Sequence, residues 1–563
     1  MKPRLWMPLG LLAAALASAR PAQADFKVDD AADRRAMQDE LTRAKEGLRI
    51  GDEPRPYYIA YTIIDSEESE HHASFGAALQ SSHGRERALR VDMRVGDPKF
   101  DNSNFAGGFS TMEWYWNPTT VDDDYLALRR ELWLRTDDAY RGALERLAAK
   151  RAAADRQATS AEQPPLDFVA ARPLNLVAPL PPERAAGPGA PGLADIVVKL
   201  SNLFRGYAGI DDSRVSSNQT RVRRRFLSSE GTWVDDGSAQ VQLRVTGNTQ
   251  APDGMRVWNE AVFRTTSAAG LPTLAEMEAR VRHMAVELLA MRSAPLIETS
   301  DAVVIFEGPA AGQIVKRLLA DHLSGTPPPR TARGEDRPEG SLAARLGQRV
   351  APPFLSAYDD PLAERGPGGA ALFGSYRADD EGQLAEKVSI IDKGMLTSLL
   401  TSRTPSKEQP RANGHARGGP VSATFQGRIG NLFISGKQPL DTRQLRAKAL
   451  AVAKESGPKT EVYVVRLLSE NPVVSYRLKN GREEPVRGLV LQNLTPRSLR
   501  DIVAVGDTMY VHNVVDGAAN SWTGIPGSIV TPALVFKDVE VRRSREKPPK
   551  PPLYPHPFRF SEK

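Results

Sequence analysis

The stretch from Val303 to Leu323, VVIFEGPAAGQIVKRLLADHL, carries the clearest structural signal in the chain. Its first four residues are apolar and predict a buried strand, and the Glu-Gly-Pro that follows predicts a turn. Pro309 is favourable in the first turn of a helix. At spacings of three and four residues, the buried stripe of this helix would consist of Ala310, Ala311, Ile314, Val315, Leu318 and Leu319. The polar side chains that this helix could present to an active site are Lys316, Arg317, Asp321 and His322.

The composition of the 563 residues is that of a large globular protein. Hydrophobic residues make up 40% and charged residues 26% of the chain, which argues against global disorder. Because domains usually contain about 100–200 residues, two cores are expected. The cluster Arg221–Arg225 lacks interleaved aromatic residues. It is therefore not typical of a nucleic-acid site, and we interpret it as a solvated strand or loop.

The N-terminus predicts export. Lys2 and Arg4 precede the apolar run Leu5–Ala17, and Ala-Gln-Ala at 22–24 follows it. This order is typical of a cleavable signal peptide, residues 1–24, with cleavage after Ala24. The apolar run is shorter than the ~20 residues that a membrane span needs, so we expect an exported periplasmic or extracellular protein without a membrane span.

The periodicity predicts an α+β protein of two domains. Residues 25–295 should form helices beside an antiparallel sheet, including a long helix within 122–156. Inside this domain, residues 159–193 are rich in Pro, Ala and Gly and predict a linker. Residues 296–545 should form a β-rich, mostly antiparallel and barrel-like domain, and residues 546–563 a Pro-rich tail.

Two motifs in the second domain accompany the strand and helix described first. They are Asp-Asp-Glu-Gly at 379–382, which precedes a short strand, and Asn-Gly-His-Ala-Arg at 413–417. Together with the helix, they resemble the TldD/PmbA family, the so-called modulators of DNA gyrase, which comprises metallopeptidases and their non-catalytic partners. The resemblance covers residues 300–543 and, more weakly, residues 30–110.

The resemblance implies that the metal site of the family is lost here. In the catalytic branch, the helix carries His-Glu-x-x-x-His, and the histidines hold zinc. The matching positions are Lys316, Arg317 and Asp321, so both ligands and the general base are replaced. The family's further cysteine ligand has no counterpart in the segment 521–527, because the chain contains no cysteine. Since Lys316 and Arg317 would repel a dication, we predict no metal and no cofactor.

Two sets of histidines remain as metal candidates. His322 lies one residue beyond the second ligand position, and the alternative is a histidine that bonds the last carbonyls of the helix. His71 and His72 follow an acidic segment and could hold a metal ion at the surface. The alternative is that this segment is simply an exposed, charged hairpin.

The two motifs also offer groups for binding or catalysis. The carboxylates at 379–381 could act in acid–base chemistry, although their place beside Gly382 favours a structural turn. Asn413 and Arg417 could bind a peptide backbone or carboxylate, since arginine offers a bidentate fork. The alternative is a solvated polar loop.

For function, the resemblance implies an exported, non-catalytic subunit of the TldE/PmbA type that takes part in peptide degradation. Its partner would be a zinc-dependent TldD-like peptidase, or a second copy of the chain. Two alternatives remain open. One is an active metallopeptidase with unusual ligands such as His322 and Asp321, and the other is a stand-alone peptide-binding protein of the cell envelope.

Overall fold

The protein is described from a computed structural model. The described residues are 30–106, 119–156, 166–179, 191–331, 334–335, 341–418, 424–517 and 524–545. The predicted signal peptide, the predicted tail and two parts of the predicted linker lie outside these ranges.

The N-terminal domain packs helices against one sheet. Its strands run in the order β3-β2-β1-β6-β7-β5, with β8 also paired to β7. The elements are α1 (Asp30–Gly47), β1 (Pro56–Ser74), β2 (Ala77–Asp97), β3 (Phe100–Asp101), β4 (Phe105–Ala106), α2 (Tyr125–Arg156), β5 (Asn175–Val177), α3 (Leu193–Asn202), β6 (Asp212–Ser228), β7 (Trp233–Gln250), β8 (Arg256–Thr265) and α4 (Leu274–Arg292).

Long hairpins build this sheet. β1 and β2 pair antiparallel along most of their length and are joined by Phe75 and Gly76, whose φ angles are 45° and 81°. Two positive φ angles in a two-residue loop match the twist of the flanking strands. β6, β7 and β8 form an antiparallel meander, which confirms the prediction for this part of the chain.

The linker prediction needs correction. Within 159–193, residues 175–177 form β5, which pairs parallel with β7, and the ring of Phe168 is buried. The Phe168 ring lies 4.8 Å from the Tyr58 ring. Proline and alanine content signals the absence of a long helix or strand, but it does not exclude a short edge strand or a buried aromatic anchor.

The C-terminal domain is built on an eleven-stranded sheet. Its strands run in the order β14-β13-β12-β17-β23-β9-β18-β19-β20, and β21 and β22 also pair with β23. The elements are β9 (Ser300–Phe306), α5 (Pro309–Leu318), β10 (Arg330–Thr331), β11 (Gly334–Glu335), β12 (Leu355–Asp359), β13 (Val388–Asp392), β14 (Met395–Leu396), β15 (Ala416–Arg417), β16 (Gln426–Gly427), β17 (Asn431–Gly436), α6 (Thr442–Ser456), β18 (Glu461–Leu468), β19 (Pro472–Lys479), β20 (Arg482–Val486), β21 (Leu489–Gln492), β22 (Ile502–Asp516) and β23 (Ile525–Arg543).

The α+β class and the β-rich second domain are confirmed, with two corrections. The sheet is mixed, because β9 pairs parallel with β18 and β17 pairs parallel with β23. The strand order does not return to its start, so the described strands form no closed barrel. Helix α5 lies between β9 and the later strands in sequence, and such a crossover permits parallel pairing.

The two domains share apolar packing at the predicted boundary. Met284 and Leu288 of α4 belong to the same buried cluster as Leu467 and Val474 of the C-terminal sheet. Across the described ranges, no helix combines the length and the apolar character that crossing a membrane requires.

Candidate functional site

The predicted strand and helix form, but the helix is shorter than the sequence indicates. Residues 303–306 are fully buried, and Gly308 turns the chain with a φ of 58°. Helix α5 ends at Leu318, and Ala320–His322 form a separate 3₁₀ turn. Asp321 and His322 therefore do not continue the α-helical face that carries Lys316.

An ion-paired lysine occupies the centre of this region. Lys316 Nζ lies 2.6 Å from Asp321 Oδ1 and 3.0 Å from Oδ1 of Asp516 at the end of β22. Burial by itself lowers the pKa of Lys316, but the hydrogen bonds and charges of the two aspartates outweigh this effect and raise the pKa. The lysine therefore remains charged at neutral pH.

The other polar groups of the helix are also engaged in protein contacts. The Arg317 guanidinium donates to the carbonyl oxygen of Glu470 at 3.2 Å. His322 Nε2 lies 3.1 Å from the carbonyl oxygen of Arg317, the kind of helix-end contact that the sequence offers as the alternative to a metal ligand.

The residues at the family's metal position do not fit a divalent cation. An ammonium group already lies between the two carboxylates, and a dication there would meet its positive charge at short range. Among the described residues, no group of three or more His, Asp or Glu side chains could hold a metal ion. His71 Nδ1 lies 2.8 Å from Ser81 Oγ, and His72 Nε2 lies 3.7 Å from Glu70, on the β1–β2 hairpin.

A second region, which we call the interdomain cleft, lies between the two sheets and has a volume of about 800 Å³. Its walls include Ile64, Val222 and Arg224 from the N-terminal sheet, and Phe373, Tyr376 and Arg417 from the C-terminal domain. The cleft brings together the two motifs, through Asp380 and Arg417, and the basic cluster, through Arg224.

Arg417 is the central polar group of the interdomain cleft. Its side chain is buried, with 8% of the residue exposed, and its guanidinium lies 4.5 Å from the centre of the Tyr376 ring. Its nearest carboxylate oxygen belongs to Asp380, at 3.7 Å from Nε. The Nε and Nη1 atoms of Arg417 donate to no acceptor in the described part of the chain.

Asn413 is not part of the cleft wall. Its Oδ1 accepts a hydrogen bond from the Thr401 N–H at 2.9 Å, and its Nδ2 donates to the Leu399 carbonyl oxygen at 2.7 Å. Both ends of the amide thus bind neighbouring backbone, and the structure separates the two residues that the sequence groups together.

The Asp-Asp-Glu-Gly motif forms a tight turn, as the sequence favours. Asp379 accepts hydrogen bonds from the backbone N–H groups of Glu381, Gln383 and Ala416, and Gly382 has a φ of 73°. Burial and the adjacent charge of Glu381 raise the pKa of Asp379 to about 7, although three N–H donors favour its charged form.

The same turn joins the domains. Arg224 donates to Asp380 Oδ1 at 3.0 Å and to the Asp379 carbonyl oxygen at 2.8 Å. It also makes a bidentate pair with Asp236, at 2.9 and 2.7 Å. The acidic turn is thus bound by a cation from the other domain.

The interpretation of Arg221–Arg225 as a solvated segment is therefore wrong for its last three members. Arg223 pairs with Asp235, Arg224 with Asp236, and Arg225 with two buried aspartates, Asp33 and Asp65. The adjacent pair Asp235-Asp236 could have predicted the ion pairing of these arginines, because the register of the β6–β7 hairpin places the two aspartates opposite Arg224 and Arg225. The contact of Arg224 with Asp380 has no local sequence signal.

These observations agree with comparisons to known proteins. Residues 299–543 match the family described as the PmbA/TldA metallopeptidase C-terminal domain. The C-terminal domain of the chain belongs to the TldD/PmbA family. The match covers the domain that contains α5, the Asp-Asp-Glu-Gly turn and Arg417, so this membership rests on the part of the chain with the altered helix.

Two relatives described as metalloproteases share part of the sequence. The one from Methanothermobacter thermautotrophicus is 25% identical over 311 residues, which is 53% of this chain and 63% of the relative. The one from Archaeoglobus fulgidus is 31% identical over 173 residues, 29% of this chain and 36% of the relative. The chain thus spans less than two thirds of the length of these relatives.

Solved structures of the TldD/PmbA family show the same fold. TldE from Thermococcus kodakarensis has a TM-score of 0.56 at 13% identity, covering 90% of this chain and 100% of that one. A protein described as a modulator of DNA gyrase from Bacteroides thetaiotaomicron has the same score and identity, covering 91% and 98%.

Proposed function

We propose that this chain is an exported, non-catalytic TldD/PmbA subunit that holds peptides for a zinc-dependent TldD-like peptidase. The single observation that carries the proposal is the Lys316 ammonium between Asp321 and Asp516. A zinc peptidase needs protein ligands around an open coordination position and a base for the bound water. Here a paired lysine takes the first ligand position and Arg317 takes the position of the base.

The unusual-ligand alternative has less support. It requires Asp321 and His322 to hold a metal together, and the Asp321 carboxylate is instead paired with the Lys316 ammonium at 2.6 Å. His322 also lies in the 3₁₀ turn that follows the end of α5 at Leu318, and not in the α-helix itself.

The similarity to the TldD/PmbA family supports the partner role. One structure with this fold is a TldE, and the family also contains catalytic members with the intact metal motif. We therefore expect a heteromeric complex in which the catalytic subunit supplies zinc and this chain supplies part of the peptide-binding surface.

The test begins with the purified mature chain, residues 25–563. We expect no stoichiometric zinc by elemental mass spectrometry after dialysis without chelator, and no hydrolysis of unfolded casein. Mixed with an exported TldD-like protein that keeps His-Glu-x-x-x-His, the chain should co-elute in size-exclusion chromatography and increase casein hydrolysis.

Two results would overturn the proposal. The first is casein hydrolysis by the chain alone that is abolished in H322A, with the fold intact by circular dichroism. The second is the absence of any complex and of any rate increase with the TldD-like protein. A partner variant with the motif glutamate changed to glutamine is the matched control, since it should still bind this chain but not hydrolyse casein.

A further inference from the structure

The interdomain cleft contains a buried cation whose hydrogen-bonding capacity is not used by the protein. Arg417 carries five N–H donors, and neither Nε nor Nη1 has an acceptor within the described ranges. Buried donors without acceptors are costly, because they have lost their water and gained no partner. Nε and Nη1 are themselves covered by protein atoms, so an acceptor in the cleft would approach the Arg417 guanidinium from its Nη2 side.

The nearby carboxylate does not supply them. Asp380 Oδ1 accepts from Arg224 at 3.0 Å, and Asp380 Oδ2 accepts from the Gly418 N–H at 2.8 Å. Asp236 is likewise engaged in its bidentate pair with Arg224. Arg417 is left with a charge contact of 3.7 Å to an acid that serves other donors.

Tyr376 holds the guanidinium in position for an external ligand. Its ring faces Arg417 at 4.5 Å, and its hydroxyl donates to the Gly414 carbonyl oxygen at 3.1 Å. A guanidinium stacked on an aromatic ring keeps its donor edge free in the plane of the fork. A planar acceptor with two oxygens binds an arginine fork through two parallel hydrogen bonds, which here would come from Nη2 together with either Nε or Nη1.

The charge around Arg417 favours a single negative charge. Four arginines (Arg90, Arg224, Arg377 and Arg417) and three acids (Asp236, Glu364 and Asp380) line the cleft. The lining therefore carries one net positive charge, which a single carboxylate would neutralise and a phosphate dianion would exceed. The remaining walls are largely apolar, with Ile64, Val222, Phe373 and the half-exposed Leu362 and Leu384. A ligand for this cleft combines one carboxylate with an apolar body.

We propose that Arg417 binds the C-terminal carboxylate of a peptide whose last side chain lies on the apolar wall of the interdomain cleft. This inference rests on the proposed peptide-holding function and names the part of the peptide that is recognised. A cavity of about 800 Å³ lies within the range that encloses ligands of a few residues.

The experiment measures binding of two fluorescein-labelled hexapeptides, Gly-Ser-Gly-Ala-Leu-Phe with a free C-terminal acid and the same peptide as its amide. Fluorescence anisotropy with the full mature chain should give at least tenfold tighter binding for the acid. In R417M the acid and the amide should bind equally weakly, and R417K should retain part of the preference. R482M, which removes an exposed arginine of β20, should behave as the wild type.

The wild-type comparison decides the question even where a variant fails to fold. Equal affinities for acid and amide, or no binding of either peptide, would overturn the inference, and so would a preference that survives in R417M. An amidated hexapeptide with an internal glutamate separates a terminal carboxylate from a side-chain carboxylate, and tight binding of that probe would also overturn it. Complex formation with the TldD-like protein is measured separately, so loss of the acid preference leaves the proposed subunit role standing.

Discussion

Lys316 and Asp321 form an ion pair of 2.6 Å across the break between α5 and the following turn. In a metal-binding member of the family, this helix would carry its two histidines at the same positions. In this chain, Lys316 and the two acids Asp321 and Asp516 satisfy one another electrostatically.

Removing the lysine charge should weaken the fold modestly. In K316M, Asp321 and Asp516 lose their cation, and we expect the free energy of unfolding to fall by about 1 kcal/mol, since all three groups are partly exposed. Urea denaturation at low and high salt measures this, and the loss should shrink at high salt.

K316R is the matched control and should retain most of the stability, because it keeps the charge. Because the pKa of Lys316 is raised, its contribution is fully present below the ordinary lysine value of about 10.4 and is lost only as the pH rises above it. A K316M variant as stable as the wild type at low salt would contradict the structural role assigned to this pair.

A methyl group at Gly312 should be poorly tolerated. A Cβ added there would overlap the Cβ and ring of His512 on β22, and both elements are held by the core. We expect G312A to lower the free energy of unfolding by about 1–3 kcal/mol, measured by urea denaturation.

Gly47 offers the matched comparison, since an added Cβ there has no heavy atom within 4 Å. G47A should change stability by no more than about 1 kcal/mol, and in the stabilising direction. Equal effects of the two substitutions would show that α5 does not pack on β22 as described.

His512 should make the fold sensitive to mild acid. Burial, together with the positive charges of Arg264 and Lys316, lowers its pKa to about 3. The unfolded chain binds a proton near pH 6.5 and the folded chain does not, so the stability contributed by His512 is lost as the pH falls below 6.5. The loss by pH 5 should reach about 2 kcal/mol.

H512Q should flatten this dependence. We expect a smaller difference in unfolding free energy between pH 7 and pH 5 in H512Q than in the wild type, whereas H322Q should keep the wild-type difference. An unchanged pH dependence in H512Q would contradict the lowered pKa.

The buried arginines should differ in their effect on stability. Arg225 is 1% exposed and pairs with the fully buried Asp33 and Asp65. R225M leaves these aspartates short of positive charge, and we expect a loss of about 3–5 kcal/mol in urea denaturation.

R417M should change stability by less than about 1 kcal/mol, because it removes donors that have no acceptor and loses only a stacking contact. A large destabilisation in R417M would show that the residue is structural. A small effect in R225M would contradict the buried pairing of the N-terminal sheet.

Local patterns predicted a substantial part of this structure. The apolar run at 303–306 and the stripe of α5 are buried as their spacing indicates, and the antiparallel sheet predicted within residues 25–295 contains the meander of β6, β7 and β8. The difference from the family's metal motif is visible directly in the sequence at Lys316, Arg317 and Asp321. Each of these features depends on residues within a few positions of one another.

Other features depended on residues that only the folded chain brings together. The pairing of Arg225 with Asp33 and Asp65, the contact of Arg224 with Asp380, and the pairing of Lys316 with Asp516 join residues far apart in sequence. Parallel pairing of β9 with β18 and the short β5 also escaped prediction. Periodicity and turn residues act over one helix turn or one strand, and they therefore predicted where individual helices and strands form. The partner of each buried charge, and the cleft around Arg417, are set by how two sheets pack, which no local pattern encodes.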